Sequence, residues 1–575
     1  MHNNKIIKLF NQAVLEKKNK NFLAAKKKFL KVIDKTKSLI AINHLIEILL
    51  TEKHFSLAKA YLEKLIKQKY NLADNLNNYG IVLSSEKDYK KSIIYFKKAI
   101  DIDPHRLLYQ KNLAYNYREN KQYNDALIIY KKIYNDFPND IENILNLSNL
   151  FFLSLKNFSG FKYLLKAHKL EKNNKNIILL ILKFLPYIQI KPRTHIRFLK
   201  IINNLNKAIN TNNSKTFDKK YSPIKMGFFS ACFYHHPIGF FLLDFFKEIK
   251  KYDCKIFIIS DRKSEDFYTK EIKKNCDKYI ATHRLNDQDL INQIKNYDLD
   301  FLFDLDGITH ISRRLIFKHK LAKKTVSWCG WLASTGFDNI DYIMGDKYGT
   351  PSSEQFKYTE KLINNHSLWA SFSTSDIKNT SQILKLDNKY FIFAIFQNAL
   401  KFSRASIFAW SKILNCSKNT KILFANESIN NSANQNKLLD IFKDLNVSSD
   451  RIVFSNPLNR NEVLQAYNSV DAVLDTFPYN GGTSSFEASY MGVPIITLDD
   501  STHVMFKCGV SINSNLGLKE FIGNNVNDYI NKAINLAETK NYKLRKQLLN
   551  NNRETILFDM KEFCKNFFFT FNNLS

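Results

Sequence analysis

The sequence has little to cross-link with and nothing that would cross a membrane. Its seven cysteines, Cys232, Cys254, Cys276, Cys329, Cys416, Cys508 and Cys564, stand singly, and none belongs to a C-x-x-C pair. That argues against a zinc ribbon or a disulfide framework and for a reducing compartment. The N-terminal stretch MHNNKIIKLFNQAVLEKKNK is amphipathic and lacks the apolar core and cleavage site of a secretory leader. No uninterrupted apolar run reaches the roughly 20 residues that span a bilayer. The strongest candidate, Asn176 to Ile190, is broken by Lys183 and Pro186 and reads as a buried helix. A cytoplasmic protein without a membrane span is therefore expected. Acidic residues are also short in supply, 54 against 86 basic ones, for a formal charge of +32. Such a surplus suits a nucleic-acid binder, but the lysines are dispersed along helical segments beside heavy Asn and Ile use, the mark of a coding bias. Solvated helix faces with a general attraction for anions account for it, and no specific nucleic-acid partner is expected.

What is present is length for two to four domains with cores of their own, 575 residues of which 14% are aromatic. The most informative stretch is Leu474 to Leu498, LDTFPYNGGTSSFEASYMGVPIITL, which reads as strand, turn, short helix and strand. The Asn480-Gly481-Gly482 turn lets backbone approach a ligand, and Thr483, Ser484 and Ser485 stand where a helix begins, with free N–H groups and partial positive charge for a phosphate. Glu487 follows, placed for a sugar hydroxyl and not for a phosphate, which it would repel. Alone, such a turn is more readily an ordinary strand-to-helix connection.

The first third repeats itself. Aromatics recur at Phe22, Phe55, Tyr89 and Tyr123, at intervals of 33, 34 and 34; Pro104 and Pro138 share the period, as do Gly80, Ala114 and Ser148, while Phe96 answers to Tyr130. Small residues let paired helices pack closely, aromatics fill the gap and proline ends the second helix. The pattern resembles the tetratricopeptide repeat, in about five copies over residues 5 to 172. Asn78, Asn112 and Asn146 hold one register position, with Asn11 at the equivalent place in the first repeat and His44 in the second. Stacked along a concave face, such amides can pair with the backbone of an extended peptide; the alternative is chance alignment of an abundant residue. Asn210 to Tyr221 reads as a linker.

Beyond Pro223, apolar runs alternate with amphipathic helices: IKMGFFS, KIFIIS, LDFLFDL and KTVSWCG, then YFIFAIF, KILFAN, RIVFSN, DAVLDTF and PIITL. Such alternation predicts two doubly wound parallel sheets with ligands at the carboxyl ends of their strands. Here the chain resembles the O-linked N-acetylglucosamine transferase and SPINDLY group, glycosyltransferase family 41, in FFSACFYHHPIGFF, DLDGITHISR, VSWCGWLASTGFDNIDYIMGD, FQNALKFS and RIVFSNP through IITL. The resemblance implies an α-solenoid of tetratricopeptide repeats (1–172), a helical connector and linker (173–222), and a two-lobed α/β GT-B region, its N-terminal catalytic lobe at 223–380 and its nucleotide-sugar-binding lobe at 381–575.

It also implies transfer of a sugar from a nucleotide diphosphate to Ser or Thr with inversion, without a metal or other cofactor. Lys401 matches the family's lysine, which stabilises the departing diphosphate. Asn398 matches a donor-facing position, Thr483, Ser484 and Ser485 the diphosphate contacts, and Glu487 an acidic position on the ribose. His236 matches a histidine beside the acceptor, able to take its proton or hold its hydroxyl. Gly307, Thr309, Thr335, Gly336 and Lys507 are candidate cleft-lining residues. The chain departs from the family at Cys232, commonly an aspartate, at Val463, often a histidine, and at Trp331-Leu332. The leading expectation is a UDP-GlcNAc-dependent protein O-glycosyltransferase whose repeats bind the polypeptide acceptor. GDP-fucose, UDP-glucose, a surface glycan acceptor or a catalytically weak scaffold are the alternatives.

Overall fold

The computed structural model describes residues 2–188, 192–205, 223–310, 313–364, 368–377, 389–456, 459–500, 505–539 and 542–574; the expected linker at 210–221 lies outside them. The chain divides into two compact units, Met1–Ser154 and Leu155–Ser575. Among the described residues, no helix is long and apolar enough to cross a membrane.

The first unit is an array of helical hairpins, beginning with His2–Lys18 and Phe22–Thr36 and ending with Ile141–Leu153. Each repeating aromatic starts the second helix of a pair, two residues after a lysine in the left-handed region: Lys20, Lys53, Lys87 and Lys121, at φ of 59°, 62°, 63° and 61°. That residue reverses the chain so that the aromatic closes the hairpin. Small residues do what their spacing implies. A Cβ on Gly80 would come within 2.8 Å of the Phe96 ring, and the Gly80 carbonyl accepts from the Ser92 hydroxyl at 2.7 Å.

The second unit opens with helices Asn157–Leu170, Lys175–Phe184 and Pro192–Leu205. Two parallel sheets follow. The first contains β1 (Ile224–Ser230), β2 (Cys254–Ser260), β3 (Lys278–Ala281), β4 (Phe301–Asp304), β5 (Lys324–Ser327), β6 (Tyr342–Met344) and β7 (Lys361–Ile363), in the order β3-β2-β1-β4-β5-β6-β7. The second contains β8 (Phe391–Ile395), β9 (Thr420–Ala425), β10 (Ile452–Ser455), β11 (Ala472–Leu474), β12 (Ile495–Leu498) and β13 (Ile522–Gly523), in the order β10-β9-β8-β11-β12-β13. The central strands read as continuous apolar runs because helices cover both faces. The last helix, Met560–Leu574, lays Phe567 and Phe571 against Phe303 at 5.2 and 4.8 Å, joining the chain end to the first sheet.

Strand order reverses between β1 and β4 in one sheet and between β8 and β11 in the other. At such switch points the connections leave in opposite directions and open a crevice at the carboxyl ends. The four segments leaving these strands carry Cys232 to His236, Asp306 to His310, Asn398 to Lys401, and Asp475 to Ser485. Topology thus gathers most of the expected site residues.

Candidate active site

Lys401 ends a single 3-10 turn, Ala399–Lys401, that follows β8. Its Nζ donates to the Asn480 carbonyl at 2.7 Å and stands 3.9 Å from the centre of the Tyr479 ring. Burial pushes the ammonium down to about 8, opposed by the nearby Asp475 carboxylate. The lysine and the glycine turn, 79 residues apart, are therefore in direct contact. Asn398 caps Lys401's turn through Oδ1, which accepts from the Leu400 amide at 3.0 Å, and is otherwise exposed.

The glycine turn is built by Asp475. Its carboxylate accepts from the amides of Gly481 at 2.7 Å and Thr476 at 2.9 Å, from the Thr497 hydroxyl at 2.9 Å and from Gln397 Nε2 at 3.2 Å. Gly481 is required by close approach, since a Cβ there would meet Ser485 Oγ at 2.6 Å and Gln397 Nε2 at 2.8 Å. The helix Thr483–Tyr490 starts immediately after Gly482, with Thr483 and Ser484 half-buried and Ser485 fully buried beneath them. First-turn amides lack intrahelical acceptors, so this end attracts an anion.

Glu487 does not stand free. Its carboxylate meets Arg460 Nε at 3.2 Å, and burial raises its pKa against the pull of that guanidinium. Arg460 also pairs with Asp376, donates to the Tyr268 hydroxyl at 3.1 Å and lies over the Phe240 ring at 3.9 Å. Tyr268, Phe240 and Asp376 belong to the first lobe, so Arg460 ties the two lobes together beside the glycine-turn helix. Sequence reading passed over Arg460, whose neighbours Asn459 and Asn461 mark no motif; only the charge of Glu487, which needs a partner when buried, signalled a cation there.

On the first lobe, His236 caps the helix Pro237–Ile249, its Nδ1 accepting from the Ile238 amide at 3.3 Å. Burial, together with His310, Arg262 and His235, pushes its imidazolium down to about 4. With Nδ1 accepting, the neutral ring carries its proton on Nε2 and presents a donor. His235 instead packs its ring against Phe240 at 5.1 Å. Gly307, at φ 52°, lets the chain turn against the Trp331 side chain. Thr309 is exposed, with its hydroxyl donating back to the Asp306 carbonyl at 2.5 Å. Thr335 is fully buried, its amide and hydroxyl both donating to Glu360 at 2.7 and 2.5 Å, next to Gly336 at φ 71°. Lys507 is buried and paired with Asp499 at 2.7 Å and Glu354 at 3.2 Å. Thr335 and Lys507 thus face structural carboxylates.

In the first unit, Asn78, Asn112 and Asn146 are half-buried on the first helices of successive hairpins. Asn112 Nδ2 donates to Asn77 Oδ1 at 2.8 Å, and Asn146 Oδ1 accepts from Arg118 at 3.3 Å. Asn11 is exposed on the first helix, lining a hollow of about 400 Å³ with Asn4, Lys8 and Gln12.

The model of Glycosyl transferase family 41 matches residues 188–376 and 365–567. The chain belongs to glycosyltransferase family 41. Among its family 41 relatives, the Petunia hybrida protein "Probable UDP-N-acetylglucosamine--peptide N-acetylglucosaminyltransferase SPINDLY" is 24% identical over 387 residues, 66% of this chain and 41% of the relative. The Arabidopsis thaliana protein of the same description named SEC is 24% identical over 367 residues, 60% of this chain and 36% of the relative. This chain spans about two fifths of the length of these curated relatives. An O-GlcNAc transferase mutant of Thermobaculum terrenum superposes with a TM-score of 0.76 at 20% identity, over 87% of this chain and 96% of that one, which establishes the shared fold of repeats and GT-B lobes.

Proposed function

We propose that this family 41 chain is an inverting, metal-independent glycosyltransferase that moves GlcNAc from UDP-GlcNAc to Ser or Thr hydroxyls of polypeptides. One observation carries the reading: a half-buried lysine and the start of a serine- and threonine-rich helix meet at the switch point of the second sheet, held by the Lys401 to Asn480 hydrogen bond of 2.7 Å. An ammonium opposite a helix N-terminus suits a diphosphate, and it stabilises charge that grows as the glycosidic bond breaks. The relatives' printed names supply the sugar and the peptide acceptor.

In this reading residues 381–575 hold the donor and residues 223–380 form the acceptor side. Thr483, Ser484 and Ser485 face the diphosphate with Lys401, Asn398 lies alongside, and Glu487 accepts from the ribose hydroxyls while Arg460 balances its charge. His236 holds the acceptor hydroxyl through Nε2–H. The repeats over 1–172 bind an extended stretch of the acceptor along Asn78, Asn112 and Asn146, with Asn11 at the array's start. The seven free cysteines suit a cytoplasmic setting.

The test offers the purified chain UDP-GlcNAc, UDP-glucose and GDP-fucose with a cell lysate and reads peptide masses. N-acetylhexosamine additions on Ser or Thr, lost in Lys401→Ala by a factor of about 100 or more with the melting temperature unchanged, are expected. Additions from GDP-fucose alone would replace the donor, and no consumption of any donor would end the enzyme reading.

A further inference from the structure

The first lobe contains a buried carboxylate to which the reading above gives no part in donor binding. The Asp376 side chain is 6% exposed and follows a segment pinned to the helix Pro237–Ile249, where the Thr374 and Ser375 amides both donate to Asp244 Oδ2, at 3.0 and 3.1 Å. The Tyr268 hydroxyl donates to Asp376 Oδ2 at 2.5 Å, so the carboxylate is oriented from within its own lobe. Its charge is spent across the cleft, on Arg460 Nη1 of the second lobe.

Arg460 is one cation shared by two carboxylates. Nη1 is held by the first lobe, pairing with Asp376 and donating to the Tyr268 hydroxyl at 3.1 Å, while Nε alone meets Glu487, at Oε1 and 3.2 Å. The guanidinium carbon lies over the first-lobe rings of Phe240 and Phe372, at 3.9 and 5.6 Å. Nη2 is buried and has no hydrogen-bond partner among the described residues, and Glu487 Oε2 likewise has none among them. An arginine and a carboxylate commonly close as a fork of two parallel N–H···O bonds. Nε and Nη2 are the two nitrogens that would form it here, and a closed fork would occupy both Glu487 oxygens. The hold on Nη1 from the first lobe keeps it open.

We propose that Asp376 is the positioning residue that keeps the Arg460 guanidinium from forking onto Glu487, leaving one Glu487 oxygen open to a ribose hydroxyl. The inference rests on the donor-site reading of Glu487. Without the Asp376 charge the guanidinium turns toward Glu487, Nη2 closes on Oε2, and the ribose loses its acceptor. Recognition of the ribose by the second lobe thus depends on a charge delivered by the first.

Calorimetry on the full chain tests this, with UDP and with its 2′,3′-dideoxy analogue, which lacks both ribose hydroxyls. The wild type should prefer UDP by at least about tenfold. In Asp376→Asn, a change of charge at constant shape, the preference should fall to about twofold or less while affinity for the analogue stays within about twofold of wild type. Adding Arg460→Lys to that variant should bring the preference back, because an ammonium forms no fork and leaves one Glu487 oxygen free. Tyr268→Phe keeps every charge, removes the second acceptor of Nη1 and should lose part of the preference. An undiminished preference in Asp376→Asn, or in Tyr268→Phe where Asp376→Asn does not fold, would overturn the proposal. So would a loss that Arg460→Lys does not restore, which would give Asp376 a purely structural role. A wild-type chain that binds UDP no better than the analogue removes Glu487 from the ribose and this inference with it, leaving the diphosphate site standing; one that binds no UDP removes the donor reading as well.

Discussion

At the scale of single residues the site is governed by burial acting on charge. In the free protein Lys401 sits in an environment that pushes its ammonium down to about 8. A diphosphate oxygen beside it favours the charged form, so nucleotide binding takes up a proton wherever the free lysine is neutral. The sign follows: affinity is highest below pH 8 and weakens as the pH rises through it, by at most about tenfold per unit. Calorimetry with UDP between about pH 6.5 and 9 should record this decline together with proton uptake. Lys401→Arg, protonated throughout, should bind with a flat profile; the wild-type slope persisting in that variant would assign the titration elsewhere. Lys401 and the glycine turn were legible because each carries a local signature. Arg460 and Asp306 were not, since their meaning lies in what faces them. A guanidinium between Glu487 and Asp376, or a carboxylate under the segment that carries Cys232, arises only when segments up to 84 residues apart are brought together.

Elements were legible where a repeat period or an apolar run marked them. The hairpin array follows from its period, because each repeat must place a small residue against an aromatic at the same spot. The long central strands follow from apolar runs at β1, β2, β8 and β9. The strands β3, β6, β7 and β13, of 4, 3, 3 and 2 residues, were missed; length alone does not decide this, since β11, also of 3 residues, was read within DAVLDTF. A glycine tests the hairpin reading directly. Gly80→Ala places a methyl within 2.8 Å of the Phe96 ring, which is 1% exposed and has nowhere to go. Overpacking of this kind costs about 1–3 kcal/mol. Urea denaturation should show that loss, and Gly80→Ala combined with Phe96→Leu should recover part of it, since the two residues share one contact. Strict additivity of the two substitutions would mean that the contact does not limit packing.

At the scale of the whole molecule, the second unit includes helices that composition alone would leave with the repeats. Asn157 Nδ2 donates to the Leu400 carbonyl at 2.7 Å, next to Lys401, and Lys183 Nζ donates to the Thr309 carbonyl at 3.1 Å, on the turn that follows β4. Tyr187 packs on Tyr479 at 5.0 Å, the same ring that lies under Lys401. This opening stretch of the second unit, which takes in the end of the expected repeats as well as the connector, thus braces a loop of each lobe, one residue from Lys401 in the second. Two truncations separate this role from that of the repeats. A chain beginning at residue 155 keeps a whole compact unit and should fold and bind UDP within about twofold of the full chain, while losing transfer to polypeptides. A chain beginning at residue 223 loses all three braces and exposes the apolar faces of Lys175–Phe184's contacts. It should unfold at lower urea and bind UDP at least about tenfold more weakly, because the Tyr479 and Lys401 arrangement is no longer held in advance. Equal UDP affinity in the two truncated chains would show that the connector belongs functionally with the repeats and that the donor site organises itself.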